Sequence, residues 1–392
     1  MCLLPLCHAL AAPVTVRDGQ LWQEGKPLRA VGVNYCDLFQ EMLTNPDSGR
    51  TLRGLRYLGE RRIPFVRFWC CGFWPVDWKL YLEDKEEYFR RLDQVVRTAE
   101  EAEVGLIPSL FWRVHTVTDL TDEYTEDWAN PESKTRAFMA TYVKEVVTRY
   151  RESPAIWGWE FANEVNLAVD LPNGMDFLGK KIPDRGVDLA KDKRNLTTKD
   201  TAAAAFVAFA EEVRKYDKER FITTGNSNLR PSQWHQTTER SWGKDTPEQG
   251  AEAFAWLNPD PINVTSIHFY PGLGDPPSYA GANGVGPVLG LYKSWSQQLG
   301  KPLFLGEFAS LGHDRGKTPD MEVYKRIERE ILAAVVDHRI DLAAHWVFDY
   351  TKDRKGSGLI RPDNEWAWIL DDIVRTNQQI QRQLETEAKT TK

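Results

Sequence analysis

The chain has little of what metal, disulfide or nucleotide chemistry requires. Only five cysteines occur in 392 residues. Cys2 and Cys7 lie at the extreme N-terminus, leaving Cys36, Cys70 and Cys71 in the body, an odd number with two adjacent, which argues against a disulfide framework. There is no C-x-x-C pair, and none of the seven histidines forms an H-x-x-x-H pair, so neither a structural zinc nor a catalytic metal is expected, and no cofactor. No G-x-G-x-x-G turn or phosphate loop follows the first strand-like segment. The formal charge is -7 with both signs interspersed and no basic block, so nucleic acid is not an expected partner. No apolar run reaches the length of a membrane span, so no membrane partner is expected either.

The opening "MCLLPLCHALAAP" is short and apolar and ends like a secretory signal at Ala9-Leu10-Ala11, but no Lys or Arg precedes it. Residues 1–13 therefore read either as the remnant of an export signal, for a secreted or periplasmic protein, or as the natural start of a cytoplasmic one. Tryptophan is abundant, with fifteen residues. Large flat rings suit stacking on sugars as well as filling a large core, and composition does not separate the two uses.

From residue 14 the chain keeps one rhythm. "VTVRDGQLWQEGKPLRAVGVN" breaks at Asp18-Gly19 and Gly25-Lys26-Pro27, which predicts a short β-hairpin leading into a buried strand. Eight short apolar segments follow: "LRAVGVNY", "IPFVRFWC", "VGLIPSLFW", "IWGWEFANE", "RFITTGNSN", "NVTSIHFY", "KPLFLGEFA" and "DLAAHWVFDY". Helical periodicity fills the intervals, as in Phe138, Tyr142, Val146 and Tyr150, or Tyr324, Ile327, Ile331 and Val335. Asp200 is placed to cap the helix that follows it. Strand-then-helix alternation repeated eight times predicts a closed (β/α)₈ TIM barrel over residues 14–375 as one catalytic domain, with 376–392 as a polar, frayed C-terminal tail. Residues 165–198 and 226–258 read as long loops, a length that function usually explains.

In such a barrel the reactive groups sit at the carboxyl ends of the strands. That gives a place to polar residues set in apolar segments: Arg67, Asn163-Glu164, His268 and Tyr270, Glu307 and Trp346. Two glutamates facing across a cleft, with a cation and a phenol nearby, suit glycoside hydrolysis. Glu164, in an aromatic setting, suits a proton donor with its pKa lifted by apolar walls; Glu307, held ionised by Arg67 and Tyr270, suits a nucleophile. Glu160 shares a face with Glu164 but lies deeper, where a structural ion pair or hydrogen bond is the expected role. Trp112, Arg113 and His115 at the end of the third strand either bind a neighbouring sugar or fill the rim.

The pieces "VRFW", "GWEFANE", "SIHFYPG", "FLGEF" and "HWVF", in this order on strands two, four, six, seven and eight, resemble glycoside hydrolase family 5. The resemblance implies a retaining β-glycosidase with Glu164 as acid/base and Glu307 as nucleophile. Asn163 would hold the sugar 2-hydroxyl, Arg67, His268 and Tyr270 would form the polar network, and Trp346 would lie under the sugar. Asn34, Trp69 and Trp112 complete the expected substrate-binding set. The likeness is greatest to the β-mannanase branch, which implies an endo-acting enzyme on β-1,4-linked mannan, then glucan, with an exo-acting β-glycosidase as the alternative; a monomer is expected. Val165-Asn166 stands where a proline is common in the family, and "FWRVH" ends the third strand in place of a simpler His-containing pattern. The same residues would serve transglycosylation. A non-catalytic carbohydrate-binding barrel finds no support, since both glutamates are present, and a phosphate-binding metabolic barrel has only the faint match "KGSGLI" at 355–360.

Overall fold

The computed structural model describes residues 13–390 except 73–75, 180, 183–186, 189, 272–277, 311–319 and 352–358. Residues 1–12 of the signal-like opening and most of "KGSGLI" lie outside the described residues.

The eight apolar segments form eight parallel strands: β1 Ala30–Asn34, β2 Phe65–Trp69, β3 Gly105–Ser109, β4 Gly158–Glu160, β5 Phe221–Thr223, β6 Thr265–Phe269, β7 Leu303–Phe308 and β8 Leu342–His345. Their hydrogen-bonded order is β5-β4-β3-β2-β1-β8-β7-β6. The last seam, between β5 and β6, is closed by one parallel bridge, Thr223 to Val264, and by Val264 N donating to Ile222 O at 3.1 Å. The expected (β/α)₈ barrel is therefore borne out. Every residue of these strands is buried, because one face packs inside the barrel and the other under helices. In β2, Phe65 joins the barrel interior while Val66 and Phe68 join the layer beneath the helices.

The outer ring comprises α1 Arg50–Glu60, α2 Lys85–Glu101, α3 Lys134–Tyr150, α4 Lys199–Tyr216, α5 Pro247–Trp256, α6 Val285–Gln298, α7 Met321–Asp337 and α8 Trp368–Thr390. Helical spacing predicts the buried face of α7: Tyr324, Ile327, Ile331 and Val335 are all buried there. Each such side chain contributes about 1.5–3 kcal/mol when fully buried. At the N-terminal end, the predicted hairpin gains a third short strand, giving Thr15–Arg17, Gln20–Gln23 and Lys26–Pro27. Asp18 and Gly19 both take positive φ, 49° and 69°, as its tight turn requires. Val14 and Leu21 pack against Phe65, Ile107, Phe221 and Phe304, so this ribbon plugs the bottom of the barrel.

Three local expectations fail for identifiable reasons. The cap of α4 is Thr198, whose hydroxyl accepts from Thr201 N; Asp200 lies inside the first turn, where its charge still favours the helix N-terminus. Residues 226–258 are not one loop, since α5 starts there with Pro247 in its first turn and a capping box between Thr246 and Gln249. The polar C-terminal stretch does not fray but continues α8 to Thr390. Its polarity is used: the Asn377 amide accepts from Val31 N and donates to Val31 O, both at 2.8 Å, and Arg29 reaches both oxygens of Glu387 at 3.1 Å.

Candidate active site

Strict alternation along β7 would turn Glu307 away from the barrel axis. Phe304 faces inward and Leu305 outward, so the second residue after Leu305 would also face outward. A β-bulge at Gly306 reverses this. Ile267 pairs with Leu305, but the next residue, His268, pairs with Glu307, so β7 carries one extra residue and Glu307 points to the same side as His268. Gly306 is also needed for space, because a Cβ there would stand 3.0 Å from His268 Nε2.

The end of β4 brings the second acid. Glu164 adopts the left-handed conformation, φ 53°, with its amide donating to Gly225 O at 2.8 Å. Only glycine fits at 225: its φ is +73°, and a Cβ would lie 1.8 Å from Ala162 O. The Glu164 side chain is 29% exposed, and His268 Nδ1 lies 2.9 Å from its Oε1 and 3.5 Å from Glu307 Oε2. One carboxylate oxygen of each glutamate and one imidazole nitrogen of His268 all lie within 4.8 Å of one another.

Arg67 organises the floor. It is fully buried, with Nε donating to both oxygens of Glu160 at 2.9 Å, Nη1 to Glu307 Oε1 at 2.7 Å and Asn34 Oδ1 at 3.0 Å, and Nη2 to Asn163 Oδ1 at 2.9 Å. Glu160 thus has the structural ion pair expected of it. Asn34, expected at the substrate, is instead fully buried with its amide spent on Arg67, Gly306 O and Ala344 O; it ties β1 to β7 and β8. With Asn163 Oδ1 engaged by Arg67, the amide hydrogens of this half-buried side chain are its means of donating to a ligand.

Tyr270 donates its phenol to Glu307 Oε2. Burial, then the charge of Glu307, raises the Tyr270 pKa well above the ordinary phenol value, so it remains a donor. For Glu164 the expected lift does not appear. Burial pushes its carboxyl up, but the hydrogen bond and charge of His268, the Ser227 hydroxyl and the charge of Arg67 together outweigh burial and hold it below the usual carboxylate range. The apolar walls exist, but polar donors reach past them. Two carboxylates and an imidazole at this spacing could also serve as metal ligands. Both oxygens of Glu307 are already engaged, however, Oε1 by Arg67 and Oε2 by Tyr270, so the set suits a shared proton better than a divalent cation.

An aromatic wall flanks the acids. Trp346 is partly exposed, and its ring lies 6.4 Å from that of Trp112 at 19°. Trp112 and Trp69 are 6% and 3% exposed and pack together at 5.0 Å, with Arg67 Cζ 4.7 Å above the Trp112 ring. Trp346 thus presents the accessible face, with the other two behind it. His115, half-buried, opens the short helix His115–Thr121, and its Nδ1 lies 3.1 Å from Thr125 Oγ1. Burial and then Arg113 push it down to about 4, which leaves it neutral near pH 7. Sequence reasoning missed Ser227 and Asn166, whose roles arise only from the meeting of two loops. Gly306 was visible, since an isolated glycine inside a strand pattern signals a bulge.

The eight-stranded barrel with paired carboxylates at the ends of β4 and β7 defines the class. Residues 58–349 match the sequence profile of Cellulase (glycosyl hydrolase family 5), and the chain belongs to that family. Over 82 residues it is 39% identical to a probable mannan endo-1,4-beta-mannosidase A-2 of Aspergillus terreus, covering 19% of this chain and 20% of that protein. Over 129 residues it is 30% identical to a probable mannan endo-1,4-beta-mannosidase A of Aspergillus flavus, covering 28% and 33%. These matches span about a fifth to a third of the length of those relatives. Among solved structures, an endo-1,4-beta-mannanase from Rhizomucor miehei superposes with a TM-score of 0.66 at 16% identity, over 93% of this chain and 100% of that one. The catalytic domain of a Thermobifida fusca endoglucanase gives 0.54 at 14%, over 92% and 97%.

Proposed function

We propose that the protein is a retaining endo-β-1,4-glycosidase, with β-mannan as its first substrate. The observation that carries this reading is the pair Glu164 and Glu307, with an oxygen of each inside a 4.8 Å cluster. Carboxyl groups about 5–5.5 Å apart let one attack the anomeric carbon directly, whereas inverting enzymes need about 6.5–9.5 Å to admit water.

Glu307, oriented by Arg67 and Tyr270, attacks the anomeric carbon while Glu164 gives its proton to the leaving oxygen. A sugar over the exposed part of Glu164 removes water and favours its neutral form, with His268 Nδ1 2.9 Å from its Oε1 to orient it. After the leaving sugar departs, the donors around Glu164 favour its ionised form, which the second step needs to activate water. Asn163 donates to the 2-hydroxyl, and Trp346 underlies the ring. A polymeric substrate suits a secreted or periplasmic enzyme.

Mannan is placed first because the relatives matched in sequence carry mannan endo-1,4-beta-mannosidase names. A β-glucan reading is second, supported by the endoglucanase neighbour. Purified protein incubated with mannan, glucan and xylan oligomers should cleave mannan fastest, at internal bonds, and NMR at early times should show the β-anomer. Early α-anomer overturns the retaining assignment; preferential cleavage of glucan or xylan overturns the substrate.

A further inference from the structure

We propose that Asp37 is a positioning residue for the aromatic wall: by anchoring Thr351 it fixes the loop after β8 and holds Trp346 and Tyr350 in place, an inference that rests on the reading of Trp346 as the sugar platform.

Asp37 follows β1 and stands at the N-cap of the short helix Leu38–Thr44, where an aspartate ordinarily accepts from the free amides of the first turn. Its side chain makes no such bond. The carboxylate turns instead to the loop after β8. Its Oδ2 accepts from Thr351 N at 2.9 Å and from Thr351 Oγ1 at 2.6 Å, with Glu41 Oε1 3.1 Å from the same hydroxyl. Asp37 is fully buried, so the helix forgoes its cap and an acid leaves water in order to hold one residue 314 positions away.

That residue ends a short loop whose other ties lie nearer its start. Trp346 N donates to Phe308 O at 2.8 Å, Phe348 N donates to Asn34 O at 2.8 Å, and Asp349, at φ 50°, accepts from the Tyr35 phenol at 3.1 Å and from Arg50. Thr351 follows Tyr350 directly. The Tyr350 ring, partly exposed, stands 6.4 Å from that of Trp346 and meets that of Trp69 edge to face at 5.9 Å. Trp346 and Tyr350 pack on a small cluster of Cys36, Trp69, Trp112, Val347 and Leu359, apart from the main core. Their direction therefore depends on where the loop is tied, and Asp37 supplies the tie beyond Tyr350.

Burial pushes the Asp37 carboxyl up to about 6 against the two Thr351 bonds; the charge of Glu41 adds to the rise and that of Arg50 opposes it. A neutral group therefore suits this place, and the carbonyl of an amide at position 37 can accept both Thr351 bonds.

The test measures kcat and KM on mannan oligomers for wild type, Asp37→Asn, Asp37→Ala, Thr351→Val and the variant combining the last two. Asp37→Ala should raise KM about 3- to 10-fold while kcat changes by less than about twofold, because it loosens a binding surface and leaves Glu164 and Glu307 in place. Asp37→Asn should stay within about twofold of wild type in KM. Thr351→Val should raise KM alone but add nothing in the Asp37→Ala background, since the two groups share one bond. If Asp37→Ala does not fold, Thr351→Val carries the same KM test. A constant KM, a fall in kcat without a rise in KM, or a failure of Asn to rescue overturns the proposal. Hydrogen exchange at the Thr351 amide, followed by mass spectrometry on unliganded protein, should be slow in wild type and Asp37→Asn and at least about tenfold faster in Asp37→Ala. If wild type cleaves no β-glycan, the functional reading falls while exchange still decides the anchor; equal exchange in all three proteins overturns it.

Discussion

Replacing Glu160 by Gln should cost stability far more than catalysis. The carboxylate is fully buried, with Arg67 Nε 2.9 Å from both oxygens and Nη2 2.8 Å from Oε1. Breaking a buried pair by removing one partner costs about 3–5 kcal/mol, and the isosteric amide keeps the volume, so about 3 kcal/mol is expected. At about 2.1 cal/mol/K of unfolding entropy per residue, the 392-residue chain has about 0.8 kcal/mol/K, so Tm should fall by about 4 °C. Arg67 retains Glu307 at 2.7 Å and Asn163 at 2.9 Å, so the proposed nucleophile stays oriented and kcat should drop by no more than about tenfold. Calorimetry and initial rates, both on folded protein, measure the two effects separately. A variant with unchanged Tm and a rate reduced about a thousandfold would make Glu160 a chemical participant and refute the reasoning.

The two proposed catalytic glutamates should separate by azide rescue: with an activated aryl β-glycoside, Glu164→Ala should release the β-azide and Glu307→Ala the α-azide, and a shared anomer would exchange or dissolve the assignment. Trp346→Ala should lose at least about tenfold in kcat/KM while Tm stays nearly constant, because its ring is partly exposed beside buried Trp112; a large fall in Tm would return it to the core. Glu328 and His345 are fully buried and 3.2 Å apart, with burial pushing Glu328 up to about 8 and His345 down to about 3. The native state therefore keeps a proton on Glu328 that the unfolded chain releases. This contribution to stability is complete below the ordinary carboxylate range and is lost as pH rises to about 8. Neutral buried His345 contributes the opposite slope up to its ordinary value of 6.5, so the net decline lies between there and about 8; Glu328→Gln should flatten Tm over that range, and an unchanged slope there would show that the decline lies elsewhere.

The barrel was legible because each strand is a short apolar run and each long helix repeats its buried face every three or four residues. The "TPEQ" opening of α5 was legible too, since Thr246, Pro247 and Gln249 spell a capping box with proline in the first turn, but the tryptophan-rich loop around it drew the reading away. The acids, His268, Tyr270 and Arg67 were found by residue type at strand ends. What sequence could not give is direction. Whether Glu307 faces inward depends on a one-residue bulge, and whether Asn34 touches a ligand depends on carbonyls of Gly306 and Ala344 contributed by β7 and β8. The downward shift of the Glu164 carboxyl was invisible for the same reason, since His268, which chiefly opposes its burial, lies 104 positions away along the chain.

Arg67 serves two acids with one positive charge, and this has a consequence for the order of events in the proposed cycle. Before reaction, Glu160, Glu307 and Arg67 sum to a single uncompensated negative charge on the barrel floor. That surplus sits where the sugar ring becomes positive as its bond breaks. Once Glu307 is esterified, the surplus is gone and Arg67 balances Glu160 alone. Charge parity on the floor thus belongs to the covalent intermediate and not to the resting enzyme, so the floor favours formation of the ester and leaves its release to Glu164.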